Sequence, residues 1–141
     1  MKILVDTNVF LDFLLNRDEQ ADYAEAFFKT CRANHHSIYL TSMQLRDIEY
    51  FAHRQFHDQK EAKKVLETTY SLISKCLSLS ANNAIDSLFS DYKDFEDQML
   101  IKAAEESLLD CIVTDNIKDF VNNEGSLPLF TPKTFVESCP N

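Results

Sequence analysis

The stretch Ile3-Leu4-Val5-Asp6-Thr7-Asn8 opens the chain with three hydrophobic residues that run straight into an acid. A short apolar run reads as a buried strand, and Asp6-Thr7-Asn8 reads as the start of a helix, because Asp and Asn are favoured N-caps. In open parallel α/β sheets, ligands bind at the edge formed by the carboxyl ends of the strands. Asp6 therefore has two readings: a helix cap, or one carboxylate of a hard-cation site completed by acids from later strand ends and helix starts.

Outward from this stretch the pattern alternates between strand-like and helix-like segments. Asn8 to Leu15 reads as helical, and a second helix from about Asp18 carries Ala21, Ala24, Phe28 and Cys31 at helical spacing. Ser37 to Leu40 is β-like. Thr41 with Gln44 makes a capping box for a helix that buries Leu45, Ile48, Ala52 and Phe56. Asp58 with Glu61 is a second start signal, so the helical stripe Ala62, Val65, Leu66, Thr69, Ile73 and Cys76 begins after a break near His57. Leu77 to Leu79 reads as a minor strand and Ala84, Ile85, Leu88 and Phe89 as a short helix; Asp94 opens a helix to about Leu108. Cys111-Ile112-Val113 then runs into Thr114-Asp115-Asn116, repeating the opening arrangement. Beyond a loop with Gly125, Leu127 to Phe130 reads as an edge strand, and Thr131 caps a last helix with Pro132 at its first position. Strands separated by helices pair in parallel through right-handed crossovers. The expected fold is α/β, a three-layer α/β/α sandwich with a short parallel sheet, formed as one domain over residues 1–141.

Composition excludes several classes of function. A single glycine, Gly125, cannot build the Gly-rich loops through which a backbone approaches phosphates, so nucleotide cofactors are not expected. Four scattered cysteines without Cys-x-x-Cys fit a reducing compartment and give neither a zinc ribbon nor a redox motif. No stretch approaches the roughly 18 apolar residues of a membrane span, and the expected location is cytoplasmic. The formal net charge of −9 argues against a phosphate-rich partner. Acids that bind a divalent cation account for part of the excess, since the metal reverses the local sign.

Acids stand where strands end or helices begin at four places: Asp6, Asp47, the group Asp94, Glu96 and Asp97, and the group Asp115, Asn116 and Asp119. Collected on one edge, they would hold Mg²⁺ or Mn²⁺, ions that take oxygen ligands and keep several waters. Such a site supports phosphodiester hydrolysis. Each acid also has a simpler explanation, because Asp97 follows Asp94 by three residues as in a capping arrangement, Asp47 lies in a first helical turn, and Asp115 and Asn116 can cap the turn before Phe120. Spacing alone does not show that they meet.

The segments Leu4-Val5-Asp6-Thr7-Asn8, Leu45-Arg46-Asp47-Ile48, Asp94-Phe95-Glu96-Asp97 and Ile112-Val113-Thr114-Asp115-Asn116-Ile117-Lys118-Asp119-Phe120 together resemble the PIN-domain nucleases, particularly the bacterial VapC-like toxins. The resemblance continues through Leu129-Phe130-Thr131-Pro132-Lys133-Thr134-Phe135 and covers nearly the whole chain. It implies a metal-dependent endoribonuclease, a homodimer and an antitoxin partner. It also implies Asp6 and Asp97 as metal ligands, Asp47 in place of the usual Glu, and Asn8 as a polar support. Where a fourth acid is usual this chain has Asn116, so Asp115 or Asp119 is the substitute; Asp115 is given a catalytic role, and Asn116 and Asp119 supporting ones.

Other constellations are weaker. His53 and His57 stand four apart, but Arg54-Gln55-Phe56 between them lacks the Glu of a zinc-protease helix. Arg46, His53, His57, Lys60 and Lys64 would align along one face only if the two helices were continuous. Phe27, Phe28, Tyr50, Phe51 and Phe56 fit core packing or a protein interface better than stacking on bases. A rival reading is a PIN-fold interaction or RNA-binding protein with weakened or lost catalysis, since Asp47 shortens one ligand and Asn116 replaces another. A phosphatase with Asp6 as nucleophile would want a second acid at position 8, where Asn8 stands.

Overall fold

The computed structural model describes residues 1–120 and 127–139, so the loop holding Gly125 lies outside the described residues. Its strands are β1 (Lys2–Val5), β2 (Ser37–Thr41), β3 (Lys75–Leu77), β4 (Cys111–Val113) and β5 (Leu129–Phe130). All pairings are parallel, in the order β3-β2-β1-β4-β5, with Leu4 opposite both Tyr39 and Ile112. The helices are α1 (Thr7–Leu14), α2 (Gln20–Ala33), α3 (Ser42–Phe56), α4 (Gln59–Leu72), α5 (Ala81–Leu88), α6 (Phe95–Glu106), α7 (Ile117–Phe120) and α8 (Pro132–Ser138).

Alternation along the strands builds two cores, because successive side chains point to opposite faces of a sheet. Ile3, Val5, Cys111 and Val113 face a core shared with Phe10, Phe27, Ile48 and Phe135 from α1, α2, α3 and α8. Leu4 and Ile112 face the other way, against Leu100, Ile101 and Phe120 from α6 and α7. The result is the expected three-layer α/β/α sandwich. Helix α5 joins the second layer through buried Asn83, which donates to the Met99 carbonyl at 3.2 Å and accepts from Ser87 at 3.3 Å. Among the described residues no helix is long and apolar enough to cross a membrane.

Two expectations shift. The third strand occupies Lys75–Leu77 instead of Leu77 to Leu79, and α4 stops at Leu72, so Cys76 belongs to the strand and not to the helical stripe. Sheet pairing takes the chain first: Ser74 N–H donates to the Ile38 carbonyl at 2.7 Å and the Ser74 hydroxyl accepts from Ile38 N–H at 3.2 Å. Phe56, expected inside, is 42% exposed, because α3 ends there with His57 at φ 52° and Asp58 caps α4. That break also divides the stripe from Arg46 to Lys64.

Among the described residues the αL backbone positions are met without glycine, at Asn16, Asp18, His35, His57 and Leu108. Leu108 is the costly one, since a branched apolar side chain gains nothing there to offset the Cβ clash and is 80% exposed. Leu108→Gly is expected to raise stability by about 1 kcal/mol, measured by urea unfolding; an unchanged or lower midpoint would contradict this account.

Gln44 ties the sheet to α3. Fully buried, it accepts from Thr41 N–H at 2.8 Å and donates to the Val5 carbonyl at 2.7 Å, while its own N–H donates to Thr41 Oγ1 at 3.3 Å. This capping box fixes where α3 starts relative to the end of β1. Gln44→Leu strands a buried donor and a buried acceptor, so a loss of about 2–4 kcal/mol is expected. In a thermal melt this corresponds to a fall on the order of 10 °C.

Candidate metal centre

The strand order reverses between β1 and β4, with β2 and β3 extending the sheet to one side and β5 to the other. The connections leaving two such strands part in opposite directions and open a crevice beyond their carboxyl ends. Here the crevice is an open cleft of about 400 Å³, and six side-chain carboxylates line or flank it: Asp6, Asp47, Asp94, Glu96, Asp97 and Asp119.

Asp6 is the most buried of these acids, and both its oxygens are committed. Oδ1 accepts from Thr7 N–H at 2.8 Å and Oδ2 accepts from the Thr114 hydroxyl at 2.8 Å. Its backbone N–H extends the β1–β4 ladder to the Val113 carbonyl at 2.9 Å. The same Thr114 hydroxyl accepts from Asn116 N–H at 3.0 Å, so one buried threonine orients Asp6 and closes the turn that launches α7. Asp6 is thus a helix cap and a cleft acid at once. Burial pushes its carboxyl above the usual carboxylate range; the Thr114 and Thr7 hydrogen bonds oppose this, and Asp94 and Asp119 add to it.

The start of α6 divides its acids by task. Asp94 caps the helix, accepting from Asp97 N–H at 3.0 Å, which leaves the Asp97 carboxylate outside the cap. Asp119 reaches the same place from α7. Ligand oxygens of Asp94, Asp97 and Asp119 all lie within 4.8 Å of one another. Asp6 is not one of this trio, although its charge bears on Asp97. Burial first, and then Asp6, Asp94, Asp119 and Glu96, push the Asp97 carboxyl up to about 8. Glu96 is raised to about 7 by burial and by Asp47, with which its carboxyl shares a hydrogen bond. The N-termini of α1 and α6 supply the partial positive charge that lets acids crowd here.

The cleft therefore brings together Asp6, Asn8, Asp47, Asp97, Asn116 and Asp119 among the residues singled out by sequence. Asp115 is placed elsewhere, lining a separate pocket with Tyr23 and Lys133. Its carboxyl meets that of buried Asp12, and burial followed by this contact raises it to about 7. Arg17 donates to Asp12 Oδ1 at 3.1 Å and to Asn8 Oδ1 at 3.3 Å, so Asn8 is held from behind the cleft. Thr114 carries a part of the site that sequence reading did not assign to it, although it had a signal as the residue ending the apolar strand Cys111-Ile112-Val113. Asp94 and Glu96 join the cleft from the acid group that sequence reading named, and Arg46 and Tyr50, read there as part of a basic stripe and as a core or interface aromatic, line it from α3.

The donor set is all oxygen, which suits Mg²⁺ or Mn²⁺ and not a soft ion. His53 and His57 are exposed and join no such group among the described residues. Thr7, which also lines the cleft, keeps a buried hydroxyl with no hydrogen-bond partner, a polar atom the chain's own bonding leaves over.

Comparison with known proteins bears on the fold. The family model for the PIN domain matches residues 2–118. No curated protein gives a significant match. A DNA-bound VapBC structure from Salmonella typhimurium aligns with a TM-score of 0.69 at 19% identity, covering 94% of this chain and 98% of that one. VapBC2 from Rickettsia felis, bound to a DNA fragment from its promoter, gives 0.68 at 16%, covering 93% and 98%. VapC20 from Mycobacterium tuberculosis, a toxin cleaving the sarcin-ricin loop, gives 0.65 at 13%, covering 89% and 99%. At these identities the likeness is one of fold.

The raised carboxyls set a pH dependence. In the unfolded chain they ionise near their ordinary values of roughly 4. Between there and their folded values of about 7 to 8, the folded state binds more protons. Stability is therefore full at low pH and lost as pH rises through 7 to 8. Without metal, the melting temperature is expected to fall from pH 5.5 to 8.5, with a shallower fall in Asp97→Asn and recovery in excess Mn²⁺. A metal-free melting temperature that climbs across this range would contradict the arrangement.

Proposed function

This chain belongs to the PIN-domain family, and from that membership we propose that it is a Mg²⁺- or Mn²⁺-dependent endoribonuclease, acting in the cytoplasm as the toxin of a toxin–antitoxin pair, with all 141 residues forming one catalytic domain. The observation that carries the proposal is the meeting of Asp94, Asp97 and Asp119 within 4.8 Å at the sheet's switch point, beside buried Asp6. Asp97 and Asp119 would hold the cation, with Asp94 completing the set and Asp6 supplying charge from the buried side. Asp119, not Asp115, takes the part of the fourth acid. Bound there, the cation supplies Lewis acidity and offsets charge building on the scissile phosphate.

The protein's own groups do the rest. Thr114 keeps Asp6 from rotating, and Asn116 and Asn8 present amides at the cleft without adding charge. Glu96, raised to about 7 by burial and by the neighbouring Asp47, is the cleft's candidate proton donor to a leaving oxyanion. Asp47 thus has a partner that compensates its short reach, and Asp119 compensates Asn116, which weakens the reading of a catalytically inactive interaction protein. The VapBC complexes that share the fold support an antitoxin partner for this chain as well; a homodimer is proposed on the family resemblance alone.

Cleavage of single-stranded and structured RNA in Mn²⁺ tests the assignment. Asp97→Asn and Asp119→Asn are each expected to lower kcat by roughly 100-fold or more, the loss of several kcal/mol of charge stabilisation. Asp115→Asn, isosteric and outside the cleft, is expected to keep most of the activity. Full activity in Asp97→Asn and Asp119→Asn, or no Mn²⁺ binding to the wild type by calorimetry, would remove the proposal.

A further inference from the structure

Helix α3 carries more than Asp47 to the cleft. Arg46, Tyr50 and Arg54 follow at steps of four and so share one helix face. Arg46, Tyr50 and the adjacent Phe51 line the acid cleft itself. Tyr50 is 53% exposed and Phe51 41%, so neither ring is used up by the core. The two rings meet edge to face at 5.3 Å, and the Arg54 guanidinium sits 5.9 Å over the Tyr50 ring. Among the described residues neither Arg46 nor Arg54 makes an ion pair, in a chain whose net charge is −9.

Each feature makes little sense for folding alone. Open aromatic surface at the mouth of a strongly acidic cleft gains nothing from water, and cations left unpaired beside so many acids are available to another anion. A polyanion approaching the acid cluster needs positive charge at its flank to offset repulsion, and an aromatic face beside that charge fits an unpaired base. A duplex keeps its bases stacked inside, so only a single strand or loop presents one.

We propose that the Arg46–Tyr50–Arg54 face of α3 is a nucleotide subsite: Tyr50, braced by Phe51 and Arg54, stacks an unpaired base next to the scissile phosphate, and Arg46 and Arg54 pair with flanking phosphates. The subsite deepens the ribonuclease reading and rests on it. It makes α3 a determinant of which strand is cut, separate from the acids that do the cutting.

Steady-state cleavage of a short single-stranded oligoribonucleotide in Mn²⁺ tests this, alongside versions of the strand with one abasic nucleotide at each position around the cut. Tyr50→Ala is expected to raise KM by roughly 10-fold or more with little change in kcat, and Tyr50→Phe to retain the wild-type KM. One abasic position should raise KM for the wild type and add nothing in Tyr50→Ala, since the same stack cannot be lost twice. Arg54→Ala should flatten the salt dependence of binding by about 0.7 in log–log slope. Tyr50 is exposed, so unchanged melting curves will show that the variants fold. If the wild type cleaves and Tyr50→Ala leaves KM unchanged, the subsite is overturned while the ribonuclease reading stands. An unchanged KM together with a shift from dimer to monomer in sedimentation would assign the face to a protein interface and overturn it too. A wild type that binds Mn²⁺ but cleaves and binds no RNA would remove both.

Discussion

The hydrogen bond from the Thr114 hydroxyl to Asp6, 2.8 Å long and fully buried, is the constraint on which the site depends. It joins the ends of the two central strands at the point where the sheet's order reverses. A carboxylate buried this deeply is tolerated only if its oxygens are satisfied. Thr114 satisfies one and the first amide of α1 the other. Because the same hydroxyl accepts from Asn116, the position of Asp6 is coupled to the turn that delivers Asp119. One side chain thus sets the relation between the first and the last of the cleft acids in chain order, Asp6 and Asp119.

From the other side of β1, Gln44 does the corresponding job for α3. It couples the carbonyl that ends β1 to the capping box that begins the helix, so Asp47, Arg46 and Tyr50 inherit their places from the sheet. Asp94 does it for α6, capping the helix so that Asp97 in its first turn is presented to the cleft. Three buried or capping polar residues therefore carry the geometry and, of the acids at the cleft, Asp97 and Asp119 are spared that task. That division is what a binding site requires, since a carboxylate engaged in holding the fold together has fewer lone pairs to offer a ligand.

Much of this was legible from residue order because it rests on local rules. Strands β1 and β4 show as apolar runs, α3 declares itself by its capping box and α8 by the Thr131 cap with Pro132 behind it, and Asp58 ends one helix and starts the next. What escaped depends on pairing across the sheet or on the direction of a side chain. Strand β3 is three residues long and lies where a helical stripe could continue, and its position is decided by the bonds between Ser74 and Ile38, which sequence does not display. Asp115 and Asp119 flank Asn116 and look equivalent in a string. In the fold the turn after β4 sends Asp115 to Asp12 and Arg17, and α7 turns Asp119 back to the cleft. The exposed face of α3 was hidden for a related reason, because aromatic residues at helical spacing read as core unless the helix is known to end its burial on one side.

The electrostatics of the cleft give the acids and the cations different reaches. Carboxyls raised to about 7 and 8 mark a place where negative charge exceeds what the chain can neutralise by itself, so protons or a divalent cation complete it. That demand is short-ranged and centred on the trio from α6 and α7. The net charge of −9 seemed to argue against any phosphate-bearing partner, but a sum over the chain says nothing of where its cations stand. Among the described residues Lys29, Lys63, Lys64 and Arg17 are each paired with an acid, whereas Arg46 lines the cleft and Arg54 lies over Tyr50 without one. At an ionic strength where fields decay over roughly 8–10 Å, a phosphate near the cleft feels these neighbours far more than acids on the remote surface. A strongly acidic chain can thus hold a polyanion where a cation cancels the acids and two arginines meet the phosphates on either side.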